Sequence, residues 1–150
     1  MALALPKEAF FALAALGWVD GSMRKDEKVG LSRAAKECGI SGDDLAAVES
    51  ALSRETRLDE FVPGDMTEWQ RVLTYSIGVW LTRLDGIQST EEHKLLADLA
   101  KRLDLQKAIC DRAAAAALDI AALPTGRPDT FEFDKLAARL AEKLPQVAKG

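Results

Sequence analysis

The sequence predicts an all-α protein of about seven helices, arranged as two pseudo-symmetric three-helix units followed by a C-terminal helix. Three observations predict it. Apolar residues recur at i, i+3, i+4 and i+7 through most of the chain. No stretch alternates with the two-residue period of a strand. The third is a repeat: shifted by 65 residues, the segment 9–41 falls on 74–106 with seven identities, at Leu16/Leu81, Asp20/Asp85, Gly21/Gly86, Glu27/Glu92, Leu31/Leu96, Ala35/Ala100 and Lys36/Lys101. Both copies put the same kind of residue at the same point of the pattern, which carries more weight than the identities alone.

The elements follow in order. A mostly apolar helix spans about Pro6 to Val19, with Pro6 in the first turn, where its missing N–H is no loss. An Asp-Gly turn leads into an amphipathic helix whose inward face is Leu31, Ala34, Ala35 and Cys38. Gly39 suits the left-handed residue that ends it. Ser41 reads as the N-cap of a third helix to about Arg54, with Leu45, Val48 and Leu52 inward. The stretch 58–66, which contains Pro63-Gly64, links the units. The second unit opens at an N-cap, Thr67, and its first helix runs to about Leu84, with Leu73, Ile77, Trp80, Leu81 and Leu84 on one face. A second amphipathic helix turns Leu96, Leu99, Ala100 and Leu103 inward. Asp104 reads as the N-cap of a longer helix to about Ala122, and the run Ala113 to Ala117 reads as its closely packing face. The last helix covers about 134–144, with Phe133, Leu136, Ala137, Leu140 and Leu144 on its apolar side and Pro145 ending it. The repeat units are thus about 6–54 and 67–122, within a single domain covering 1–150.

Composition narrows the function. A chain of 150 residues buries roughly 70% of its unfolded surface, so neither disulfides nor a structural metal are required for stability. The 24 acids and 20 bases are interleaved, which argues against nucleic acid and anionic membranes as partners. Cys38 and Cys110 stand in no zinc-ligand spacing and read as reduced thiols in or near the core, which suits a reducing, cytoplasmic compartment. The apolar N-terminus 1–19 does not read as a signal peptide, because no basic residue comes before it and Pro6, Lys7 and Glu8 interrupt it, and the run 9–19 is too short to span a bilayer. His93, the one histidine, reads as an exposed helical residue. Trp18, Trp69 and Trp80 read as core residues, with Trp69 also placed to mark a partner surface. No nucleophile–base pair, phosphate-binding glycine loop or cofactor motif is present, so the chain reads as non-enzymatic.

The residues that invite a functional reading are acidic. Asp20 and Glu27 in the first copy, and Asp85 and Glu92 in the second, are each seven residues apart. A tight turn between helices brings each pair to one end of the helix pair. Carboxylates without His or Cys select a hard divalent cation, namely calcium, magnesium or manganese. An EF-hand is rejected, because its first and third ligand positions would be Leu16 and Trp18, or Leu81 and Arg83. A purely structural account stands beside the metal account. Ser89-Thr90-Glu91-Glu92 is a capping-box pattern that by itself explains Glu92. It explains Glu27 less well, since Arg24 occupies the place of Ser89.

The repeated pattern of Asp-Gly, acid-Glu, Leu and Ala, across 9–117, resembles the TerB-like family, which is linked to tellurite resistance and also found at the start of some membrane-anchored DnaJ-type co-chaperones. The resemblance implies an all-helical bundle with internal pseudo-symmetry. It implies a binding or adaptor module in bacterial tellurite-type chemical stress, with Asp20, Glu27, Asp85 and Glu92 as a divalent-metal site. The alternative is a metal-free helical scaffold that presents a groove between its two halves to another protein. Either reading expects a protein partner, and both are compatible with a homo-oligomer.

Overall fold

The computed structural model describes residues 5–19, 23, 25–58, 61, 64, 66–82, 89–122 and 133–148. Among these residues the chain forms eight helices and no strand: α1 (Lys7–Gly17), α2 (Lys25–Glu37), α3 (Gly42–Ser53), α4 (Glu68–Thr82), α5 (Thr90–Arg102), α6 (Lys107–Ala121), α7 (Phe133–Lys143) and α8 (Pro145–Ala148).

The 65-residue offset reappears in the helix bounds. Added to the ends of α2, 25 and 37, it gives 90 and 102, the ends of α5. It likewise carries the last residue of α1 onto that of α4, and the first residue of α3 onto that of α6. The helix stops match in chemistry too. After α2, Gly39 takes φ +83°, its N–H donating to the Lys36 carbonyl at 3.0 Å while the Ile40 N–H donates to Ala35 at 3.1 Å. After α5, Asp104 takes φ +56°, its N–H donating to Lys101 at 3.1 Å while the Leu105 N–H donates to Ala100 at 3.0 Å. Both are Schellman stops, built on a left-handed residue.

Asp104 therefore belongs to the end of α5, which corrects its reading as the N-cap of α6. That cap position falls to Gln106, whose side chain makes no capping bond. Aspartate favours both sites, because its short polar side chain tolerates the left-handed region as well as capping a helix start. At the C-terminal end α7 stops at Lys143, ahead of Pro145 as expected, but it is not the last helix. Pro145 opens the short α8, where a proline in the first position costs no hydrogen bond.

α4 is the central helix, packed on α1, α5 and α6. Eleven of its fifteen residues are buried, including Trp69, Leu73, Ile77, Trp80 and Leu81. Buried hydroxyls on this helix are satisfied: Ser76 Oγ donates to the Ala113 carbonyl of α6 at 2.8 Å, and Thr74 Oγ1 to the Gln70 carbonyl at 2.8 Å. Its start is a capping box, with the Gln70 N–H donating to Thr67 Oγ1 at 3.1 Å and the Thr67 N–H to Gln70 Oε1 at 2.9 Å. Gly78 lets two neighbours close in. A Cβ there would lie 2.8 Å from Leu16 of α1 and 3.4 Å from Leu96 of α5. Ala113, Ala116 and Ala117 of α6 are fully buried, as a small-residue face packed on α4 requires.

α7 covers another side of α6 with Phe133, Leu136, Ala137 and Leu140, all fully buried. Phe133 meets Trp80 edge to face, with centroids 5.2 Å apart and ring planes at 82°. At the surface, Arg139 of α7 bonds Asp119 of α6 at 3.0 Å and holds its carboxyl below the usual carboxylate range. Among the described residues, no helix is long and apolar enough to cross a membrane.

Candidate functional site

Glu27 and Glu92 are each the third residue of their helices, α2 and α5, and each is half-buried. The N-terminal turn of a helix favours a carboxylate there through the partial positive charge of its unpaired N–H groups. Glu92 is held further. Its Oε1 accepts from the Ser89 N–H at 2.9 Å, while Ser89 Oγ accepts from the Glu92 N–H at 3.1 Å. The capping box expected from the sequence is therefore formed, and one carboxylate oxygen of Glu92 is committed to it. Asp20 and Asp85, the other two expected metal ligands, lie outside the described residues. Among the described residues, no three His, Cys, Asp or Glu side chains come together as a metal-holding group.

Beside Glu27, Trp18 ties the end of α1 to the end of α3. Its Nε1 donates to the Leu52 carbonyl at 3.1 Å, and its ring carries the Lys28 ammonium 5.2 Å from the centroid. Met23 is buried with its terminal methyl against the backbone of Gly17, in the space a side chain there would fill.

Two surface depressions flank this region. One, of about 320 Å³, lies between Trp18 and Val19, the chain leaving α3 at Glu55 to Leu58, and the α5 residues Asp98 and Arg102. Asp98 and Arg102 pair along its α5 wall at 3.3 Å, one helical turn apart. The other, of about 440 Å³, is a groove between α2 and α3. Leu52 lies at its base, Val29 is 47% exposed at its side, and Lys28, Arg33 and Lys36 line the α2 wall. Glu49 on the α3 wall accepts from Ser32 Oγ at 3.1 Å. Arg33 also lies over Phe133, 5.3 Å from its centroid.

Among the described residues, none of the acidic candidates lines this groove. Its signal was present in the spacing of Lys28, Ser32 and Lys36, four residues apart and hence on one side of α2. The remaining candidates fall where the sequence placed them. His93 is exposed, Trp69 and Trp80 are buried, Cys110 is buried and Cys38 is half-buried. Burial pushes both thiols above their ordinary range, the rise at Cys110 being partly offset by a hydrogen bond with Tyr75.

The fold and the paired helix starts define an all-α bundle with an internally repeated helix pair. No protein-family model matches the chain, and neither does any curated protein or solved structure.

Proposed function

We propose that this chain is a non-enzymatic binding module, an adaptor of the TerB-like kind that its sequence resembles, acting on a protein partner. The observation that supports it is the open groove between α2 and α3, where Val29 is left exposed at the surface beside Lys28, Arg33 and Lys36, over the buried Leu52. Single exposed apolar residues are ordinary, but an apolar depression rimmed by charge is the form an interaction site takes. The resemblance places such an adaptor in bacterial tellurite-type stress. Immobilised chain should retain a discrete, saturable partner from extract of the native host, displaced by excess free chain. Absence of any saturable partner removes the reading.

A second reading, divalent-cation binding by Asp20, Glu27, Asp85 and Glu92, is favoured by one observation. Glu27 and Glu92 occupy the same third position of helices whose bounds coincide under the 65-residue shift. The capping bond at Glu92 weighs against it. Thermal unfolding with calcium, magnesium, manganese or zinc tests it directly. A cation at a hundred times its Kd should stabilise the chain by about 2.7 kcal/mol. The gain should vanish in the Asp20→Asn, Asp85→Asn double variant, and an unshifted parent eliminates the cation.

A further inference from the structure

We draw no further inference here: the strongest candidate, the depression of about 320 Å³ between the end of α1, the chain leaving α3 and α5, carries nothing, because Asp98 and Arg102 on its wall are bonded to each other and nothing in the structure shows what covers it.

Discussion

Ser89 and Glu92 show how one sequence pattern serves two explanations. A serine three residues ahead of a glutamate, at a helix start, is a complete capping device, and both of its bonds are formed. Glu92 thus has a structural reason to be where it is, whatever else it binds. Ser89→Ala should cost about 1 kcal/mol, the usual loss on removing a side-chain cap, read as a lower midpoint in urea unfolding at unchanged slope. The loss should be independent of calcium, magnesium or manganese if the cap alone explains the pair. A larger loss with cation present would point to a shared role. Trp18 shows the limit of reading residue by residue. Its place on an apolar helix predicts burial, yet it is half-buried because its indole N–H reaches the Leu52 carbonyl at the end of α3 and its face meets Lys28. Those partners are 34 and ten residues away, so no local pattern indicates them.

At the scale of elements, the repeat makes a comparison that a single copy would not permit. α2 and α5 stop with the same hydrogen bonds, but one uses glycine and the other aspartate at the left-handed residue. A Cβ in that conformation meets the following carbonyl, at a cost of roughly 1–2 kcal/mol that Asp partly escapes. Asp104→Gly should therefore stabilise the chain by about 0.5 to 1 kcal/mol, and Gly39→Ala should destabilise it by about 1 kcal/mol. Opposite signs in chemical unfolding support equivalent stops, and equal signs would show that the two ends are held differently. The packing around the copies is less alike than their bounds. α3 lies on α1 and α2, whereas α6 lies on α4 and gives another side to α7. The pattern of apolar residues was legible at both, since Val48 and Leu52 are buried in one and Ala113, Ala116 and Ala117 in the other. Which helix would cover each face was not.

For the whole molecule, stability converges on α4. Trp80 is fully buried between the helices of the bundle and against Phe133 of α7, so it joins the repeated units to the C-terminal helix. Trp80→Ala should destabilise the protein by about 3–5 kcal/mol, as truncation of a buried aromatic does. A domain of this size has about 5–15 kcal/mol to lose, so much of the margin would go. Unfolding should remain a single transition by both circular dichroism and tryptophan fluorescence, because α7 shares the same core. Two separate transitions would show that the C-terminal helix is held independently.

The helical class, the repeat, the apolar faces of the helices and the cap at Ser89 follow from residue spacing alone. Each depends on spacing within one or two turns, and backbone geometry translates that spacing directly into structure. The paired acids were legible as a motif for the same reason. Packing between distant segments sets the rest: Asp104 closes α5, Pro145 starts a helix, and Met23 fills the space beside Gly17. The same packing leaves a groove between α2 and α3. Those outcomes depend on which surfaces come into contact across tens of residues, and a contact of that kind leaves no period in the chain.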